Sequence, residues 1–251
     1  MPDLSITSPD LRARLARYAQ RHPRRYLLLH AVVALAVVLA LVAAFAAIAD
    51  AVPENGRMVW FDHALTAFIQ AHDTEWGETI FLWISYLGPP IVDVAIVIGA
   101  GWYAKRRDWL RVGTVLASGA GGIILCHILK AIFHRGRPEV ATEFISRTSW
   151  SFPSGHAMET VTTYGILLVL ATERIPSDAR RRLLRWSTII VIALVGFSRI
   201  YLGVHYLSDV VAGWLAGGAW LIASISGYHV ARRAGVGLPP TATNAERISR
   251  P

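Results

Sequence analysis

Cysteine is almost absent from this 251-residue chain, and the single one, Cys126, lies inside an apolar run. One cysteine excludes an intrachain disulfide and says little about the redox compartment. Charged residues are also scarce, at 17% of the chain, where soluble domains usually carry about a quarter. The apolar excess is concentrated in blocks, which indicates that the surrounding solvent is a lipid bilayer.

Acidic residues are outnumbered, 17 against 25 Lys and Arg, and the formal net charge is +8. A basic balance can indicate nucleic-acid binding. Here the basic residues flank the apolar runs and form no continuous basic face, so we expect no nucleic-acid partner.

The long apolar runs predict an all-α polytopic membrane protein, built as a bundle of six transmembrane helices. The first run is too long for the apolar part of a signal peptide, and we interpret it as a retained helix. The second is interrupted by Gly88-Pro89-Pro90, so an interfacial helix is expected before a span that begins near Ile91. The six segments lie near residues 26–49, 80–104, 110–133, 156–172, 186–203 and 207–230.

Three regions are expected along the chain: a basic amphipathic cytoplasmic lead-in over 1–25, the membrane domain over 26–233, and a disordered cytoplasmic tail over 234–251. Lys and Arg collect in cytoplasmic loops, and that rule predicts a protein of the cytoplasmic membrane with both termini in the cytoplasm. All but six of the 25 basic residues then lie inside. The six outer residues are Arg57, Lys130, Arg135, Arg137, Arg147 and Arg199.

Three polar stretches fall at the same outer face, where most of these disfavoured cations are found. They are "KAIFHRGRP", which contains Lys130 and Arg137, "PSGH" at 153–156, and "SRIYLGVHYLSD", which contains Arg199. Three fixed cations suit an anion with several oxygens, and arginine can grip phosphate with two hydrogen bonds. Ser154 and Gly155 at a helix start would add a hydroxyl and a backbone N–H.

Two histidines in these stretches are candidates for catalysis. His205 and Asp209 are four residues apart, so on a helix they would share a face and could form a hydrogen bond. A carboxylate that orients an imidazole makes the far ring nitrogen a good nucleophile. His156 has no such carboxylate in its own motif and suits the role of general acid.

Lys-x6-Arg-Pro, Pro-Ser-Gly-His and Ser-Arg-x5-His-x3-Asp, in this order, resemble the signature of the type 2 phosphatidic acid phosphatases. That superfamily also includes bacterial acid phosphatases and vanadium haloperoxidases. The resemblance covers about residues 105–230, and its membrane branch implies a six-span lipid phosphatase with an outer active site. The implied phosphate-binding residues are Lys130, Arg137, Ser154, Gly155 and Arg199, and the implied catalytic residues are His205, Asp209 and His156.

In the mechanism that the resemblance implies, His205 forms a phosphohistidine, Asp209 orients it, and His156 protonates the leaving group. No metal and no cofactor are implied. The expected partners are membrane lipids and a lipid phosphate or diphosphate, with undecaprenyl diphosphate favoured over phosphatidylglycerophosphate or phosphatidate. The motifs contact only the phosphate, so the lipid and the oligomeric state stay open.

Other polar residues have plainer explanations. Arg135 and Arg147 are expected to anchor at lipid headgroups, and His127 to pack between helices. Glu159 could hydrogen-bond His156, although attraction to the helix dipole also explains an acidic residue there. Asp93 could pair with an arginine of the site, whereas His63 and His72 are expected to be solvated.

Three alternatives remain open. His156, His205 and Asp209 are of the right types to bind a metal ion, although the surrounding cations argue against it. A vanadate-dependent oxidase of the same superfamily would have the same motifs. A transporter or scaffold could use the site to bind a lipid headgroup without turnover.

Overall fold

The computed structural model describes residues 23–53, 56–138 and 149–236, without the side chains of residues 23–27. These residues form α-helices and no strand, which confirms the all-α class. The predicted lead-in and tail lie almost entirely outside the described residues. The helices are α1 (Pro23–Ala51), α2 (Arg57–Ala71), α3 (Glu75–Ser85), α4 (Pro89–Lys105), α5 (Trp109–Phe133), α6 (Gly155–Thr172), α7 (Asp178–Tyr201) and α8 (Leu207–Arg233).

Five helical segments are long and apolar enough to cross a membrane, so the chain is a multi-pass membrane protein. They are Leu28–Ala51, Glu75–Lys105, Trp109–Phe133, Asp178–Tyr201 and Leu207–Arg233. The predicted span at 156–172 corresponds to α6, which is not among these five segments, so the number six is not confirmed. Helix α6 carries His156, Glu159 and several threonines among its apolar residues.

Helix α6 lies at the centre of the bundle, in contact with α4, α5, α7 and α8. This position explains its polarity, because its side chains face other helices and not lipid. Glycines of α8 allow the backbones of α6 and α8 to approach each other closely. A Cβ at Gly213 of α8 would lie 2.7 Å from the Ser154 carbonyl oxygen, and one at Gly217 would lie 2.9 Å from that of Met158.

The Gly88-Pro89-Pro90 break separates α3 from α4, and the helix expected before it is α3, which begins at Glu75. Pro89 takes the first position of α4, where its missing N–H has no cost. The backbone around this break lies against α6. The Tyr164 hydroxyl donates to the Leu87 carbonyl, and a Cβ at Gly88 would lie 2.5 Å from the His156 ring.

Helix α2 was not among the predicted elements. It is short and presents two different faces, which is typical of a helix lying in the membrane interface. Val59, Asp62 and Thr66 are buried on one face, and Trp60 and Phe68 are exposed on the other. The buried face packs over the loop that joins α7 to α8 and over the start of α8.

Candidate active site

The three predicted motifs meet at one end of the bundle. Each contributes a helix end or the loop beside it, because polar side chains at a helix terminus can point past the apolar layer. Lys130 lies in the last turn of α5 and Arg199 in the last turn of α7, with Arg137 in the loop after α5. Ser154 is the N-cap of α6. His205 precedes α8, and Asp209 lies in the first turn of that helix.

His205 is 2% exposed, and its two ring nitrogens face different groups. Nε2 lies 3.3 Å from NH1 of Arg137. Nδ1 lies 3.2 Å from Oγ of Ser151 and 3.4 Å from Oδ2 of Asp209. An arginine N–H can only donate, so Nε2 is the acceptor and Nδ1 carries the hydrogen. The nitrogen with the free electron pair therefore points toward the cations.

Asp209 is completely buried and accepts hydrogen bonds from several directions. Its Oδ1 accepts from NH1 of Arg135 at 2.6 Å. Its Oδ2 accepts from the Ser151 hydroxyl at 2.5 Å and from the Tyr206 backbone N–H at 2.9 Å. The last bond is part of the N-terminal cap of α8, in which Tyr206 is the N-cap residue. His205 lies before this cap and outside the helix. Its contact with Asp209 therefore comes from the geometry of the cap and not from a shared helical face.

Among the described residues, the three cations bond neutral groups and form no ion pair with a carboxylate. Lys130 donates from Nζ to the Trp150 carbonyl at 2.5 Å, and Arg199 donates from NH1 to Oγ of Ser85 at 2.5 Å. Arg137 donates to the Ser149 and Val204 carbonyls, each at 2.9 Å. Buried cations without a carboxylate partner favour the binding of an anion.

Two buried polar atoms in this cluster have no hydrogen-bond partner within the described part of the chain. They are Oγ of Ser154, a residue with 0% exposure, and Nε of Arg199, a residue with 4% exposure. An N-cap serine usually accepts from its own helix, but the Ser154 hydroxyl makes no such bond. Both atoms are therefore available to a ligand in a place where leaving them unpaired is costly.

His156 lies in the first turn of α6, and its ring packs against the backbone at Gly88. The charges of Arg199, Arg137 and Lys130 act on this ring, which places it in the same electrostatic cluster as His205. The structure thus brings together all eight residues that the motifs singled out.

Burial lowers the pKa of His205 to about 3, although the Asp209 carboxylate acts in the opposite direction. The imidazole is therefore neutral at physiological pH, as a nucleophile requires. Burial also lowers the pKa of Arg137, and Asp209 again opposes the change.

A family model described as the PAP2 superfamily matches residues 110–233, the part of the chain that carries all three motifs. Phosphatidylglycerophosphatase B of Bacillus subtilis is 32% identical over 145 residues, which cover 57% of this chain and 70% of that protein. The chain belongs to the PAP2 superfamily. The resemblance drawn from the motifs is confirmed, and with it the membrane lipid phosphatase branch and the class of phosphoric monoester hydrolases.

A solved structure and a further relative agree with this assignment. The transmembrane PAP2 type phosphatidylglycerolphosphate phosphatase of Bacillus subtilis has a TM-score of 0.69 at 25% identity, covering 77% of this chain and 96% of that one. An undecaprenyl-diphosphatase of Sulfolobus acidocaldarius is 39% identical over 77 residues, which cover 30% of this chain and 31% of that protein. This PAP2 chain is similar to enzymes named for different lipid substrates.

Several expectations about other polar residues of this PAP2 protein are wrong. Arg135 does not reach lipid headgroups, because its side chain is 8% exposed and paired with Asp62 and Asp209. His127 is exposed on α5 and is not packed between helices. Glu159 lies in the second turn of α6, beyond the reach of the dipole effect at the helix start.

The expectations for Asp93, for two histidines and for Arg147 have different outcomes. Asp93 is exposed on α4 and forms none of the ion pairs found among the described residues, so it does not pair with an arginine. His63 and His72 are exposed, as expected. Arg147 lies outside the described residues.

Sequence reasoning missed four residues of the site: Ser85, Ser149, Ser151 and Asp62. Ser85 bonds Arg199, Ser149 bonds Arg137, and Ser151 bonds Asp209. A lone serine or aspartate outside the motifs has no spacing that distinguishes it. Only Ser149 and Ser151, four and two residues before Pro153, lie close enough in sequence to the second motif to have been suspected.

Proposed function

We propose that this PAP2 protein hydrolyses a lipid phosphate or diphosphate through a phosphohistidine at His205. The observation that carries the proposal is that the Nε2 electron pair of buried His205 faces the Arg137 guanidinium, in a cluster with two buried atoms that have no partner among the described residues, Oγ of Ser154 and Nε of Arg199. A tetrahedral phosphate satisfies those donors and presents its phosphorus to the nitrogen. No group in a simple lipid-packing interface requires that combination.

Substrate binding uses the cations first. Phosphate oxygens accept hydrogen bonds from Arg137, Arg199 and Lys130, and from the Ser154 hydroxyl. The Gly155 N–H, at the first position of α6, adds a backbone donor that the helix itself does not use. These donors stabilise the charge that spreads over the equatorial oxygens in the transition state.

In the chemical step, Nε2 of His205 attacks phosphorus and the bond to the leaving oxygen breaks. His156 donates a proton to that oxygen. The imidazole becomes cationic, and Asp209 stabilises it through Nδ1–H. Water, deprotonated by His156, then attacks the phosphohistidine, and inorganic phosphate is released with neutral His205 restored.

Undecaprenyl diphosphate is the favoured substrate of this proposal, and phosphatidylglycerophosphate or phosphatidate is the alternative. The relative named undecaprenyl-diphosphatase supports the first over a short stretch, and the Bacillus phosphatidylglycerophosphatase supports the second over most of its length. A transporter or scaffold is disfavoured because the cluster contains both a nucleophile candidate and an acid candidate. A panel of lipid substrates distinguishes among these possibilities.

The site is proposed to face outward from the cytoplasmic membrane, with both chain termini in the cytoplasm. The support is the distribution of Lys and Arg, which places all but six of 25 on one side. The site residues lie at the end of α5 and α7 and the start of α6 and α8, and are therefore on the opposite side.

The deciding experiment measures phosphate release from lipid mono- and diphosphates by the purified protein in detergent. We expect release by the wild type, no release by His205→Ala, and normal turnover by Glu75→Gln, whose side chain is exposed on α3. We also expect activity to survive excess EDTA, because cations of the protein itself neutralise the phosphate. Orthovanadate should inhibit the enzyme.

Binding of the lipid phosphates without release would support a scaffold or transporter. Loss of activity in EDTA that Mg²⁺ or Zn²⁺ restores would overturn the metal-free mechanism. Vanadate-dependent halide oxidation would favour the oxidase alternative.

A further inference from the structure

Asp62 and Arg135 form a buried ionic chain that ends on Asp209. Arg135 donates from NH1 to Oδ1 of Asp209 at 2.6 Å and from NH2 to Oδ2 of Asp62 at 2.9 Å. Asp62 is 1% exposed, and the Arg135 side chain is 8% exposed. The guanidinium also lies over the Tyr206 ring, 4.3 Å from its centroid. Asp62 belongs to α2, which lies before the family-matched region.

Ser208 connects the ionic chain of Asp62 and Arg135 to the start of α8. Its backbone N–H donates to Oδ1 of Asp62 at 3.0 Å, and its hydroxyl bonds both Asp62 and Arg135. Every oxygen of Asp62 and two guanidinium nitrogens of Arg135 are thus used inside the protein. Neither side chain is available to hold a phosphate.

We propose that Asp62 and Arg135 are positioning residues for the phosphatase reaction, which hold Asp209 and, through it, the His205 imidazole. This inference rests on the proposed function of His205 as the nucleophile. It assigns to α2, which is not one of the candidate membrane spans, a part in catalysis.

Arg135 holds two carboxylates at once, which few side chains could do. Its planar fork binds one carboxylate on each side and fixes the angle between them. Asp209 must be fixed because its Oδ2 lies 3.4 Å from Nδ1 of His205, a distance that shortens when the imidazole becomes a cation. A fixed carboxylate needs little reorganisation at that moment.

The charge of Asp62 also affects the stability of the imidazolium. Asp62, Arg135 and Asp209 together carry one net negative charge, which stabilises the imidazolium formed during attack. Without Asp62, the Arg135 cation would cancel the charge of Asp209 and weaken that stabilisation. Without Arg135, two carboxylates would face each other in a buried place, which is strongly unfavourable.

The experiment compares steady-state kinetics of Asp62→Asn, Arg135→Gln, Arg135→Lys and the double variant Asp62→Asn/Arg135→Gln. The matched control is Asp50→Asn, which removes the same charge from an exposed residue of α1. Folded protein is quantified by size exclusion and thermal unfolding, so that kcat is expressed per folded molecule.

For Asp62→Asn and Arg135→Gln we expect kcat to fall about 10- to 100-fold, with KM changed less than about 3-fold. Arg135→Lys keeps the charge but not the fork, and its kcat should be intermediate. The double variant should be no slower than Arg135→Gln by more than about 3-fold, because the two residues act through one contact. Asp50→Asn should match the wild type.

Wild-type kcat per folded molecule in Asp62→Asn and Arg135→Lys would overturn the inference, even if Arg135→Gln does not fold. Losses that multiply in the double variant would also overturn it. An inactive wild type, or an active His205→Ala, would instead reject the proposed function itself. The two failures are therefore distinguishable.

Discussion

At the scale of single residues, the ring nitrogen proposed as the nucleophile is in contact with a cation of the site. Nε2 of His205 accepts from Arg137 at 3.3 Å, so its electron pair is occupied by a donor that also belongs to the phosphate site. In the proposed mechanism, an entering phosphate would compete for that guanidinium and free the nitrogen as it binds. Arg137 would then couple substrate binding to exposure of the proposed nucleophile.

The role of His156 can be tested through the leaving group. A lipid monophosphate expels an alkoxide, which needs a proton in the transition state, whereas a diphosphate expels a more stable lipid phosphate. General acid catalysis typically contributes about 10²–10⁴-fold and matters most for the poorest leaving group. We expect His156→Ala to slow monophosphate hydrolysis most, diphosphate hydrolysis less, and p-nitrophenyl phosphate least, as measured by phosphate release.

Equal losses on all three substrates, with chemistry shown to limit the rate, would mean that His156 positions phosphate and does not donate the proton. Exposed His72, the C-cap of α2, provides the control. His72→Ala should leave the order and size of the three rates unchanged.

At the scale of helices, the start of α6 depends on α8. The Ser154 N–H donates to the Asp209 carbonyl at 2.9 Å, so the cap of α6, proposed to bind phosphate, is fixed to the helix that carries Asp209. Gly213, one turn later, leaves room for the Ser154 carbonyl. The approach of two backbones, and not a side-chain contact, sets the position of the cap.

Gly213→Ala should therefore damage the site from within the bundle. The new methyl would lie 2.7 Å from the Ser154 carbonyl oxygen and 3.0 Å from Ala157 Cβ. Overpacking of this kind costs about 1–3 kcal/mol, and here part of it would be relieved by moving the cap. We expect a lower thermal midpoint in detergent and a kcat/KM reduced at least about 10-fold, which corresponds to about 1.4 kcal/mol.

Gly227→Ala on the same helix is the control, because a Cβ there meets nothing within 4 Å. Its activity and thermal midpoint should equal those of the wild type. A Gly213→Ala enzyme with full activity would show that α6 and α8 can separate without disturbing the phosphate site.

At the scale of the whole molecule, the end of the bundle opposite the site is held by an ionic cluster. Glu173, at the end of α6, accepts from Arg111 of α5 and Arg232 of α8, both at 2.8 Å. The Tyr228 hydroxyl donates to the same carboxylate at 3.0 Å. One acidic residue thus joins three helices far from the chemistry.

Glu173→Gln should lower stability in a pH-dependent way. Partial burial alone would raise the pKa of Glu173, but hydrogen bonds from Arg111 and Tyr228 outweigh it and the net pKa is lowered. A lowered carboxyl pKa stabilises the fold fully above the unfolded value, near 4.5, and this contribution is lost as pH falls from there through the lower folded pKa. Thermal midpoints of wild type and Glu173→Gln should differ at pH 7, and the difference should shrink progressively as pH falls below about 4.5.

Exposed Glu75→Gln should show no difference at either pH. A gap between wild type and Glu173→Gln that stays constant through the acid range would mean that the carboxylate charge is not what joins the helices. Catalytic rates of folded Glu173→Gln should be normal, because the cluster is at the other end of the bundle.

The orientation of the molecule in the membrane can be tested with single cysteines in a Cys126→Ser background. His72→Cys lies at the site end of the bundle and Lys105→Cys at the other, and both positions are exposed. In intact cells an impermeant maleimide should label His72→Cys alone, with Lys105→Cys labelled only after permeabilisation. The reverse pattern would place the site in the cytoplasm.

The amino-acid sequence by itself determined the helical class, the positions of the long apolar helices and the residues of the three motifs. Each of these follows from a local pattern: apolar length, the Gly-Pro break, and fixed spacings within short stretches. The same local patterns allowed membership of the superfamily to be expected, and that expectation is confirmed.

Only the tertiary structure decided how the motifs are supported. The pairs Asp62 with Arg135 and Ser85 with Arg199 are 73 and 114 residues apart, and no periodicity joins residues at such separations. His205 meets Asp209 through the cap of α8, a geometry that the four-residue spacing could not distinguish from a shared helical face. Local spacing specifies which groups are present, whereas the packing of distant helices specifies which atoms touch.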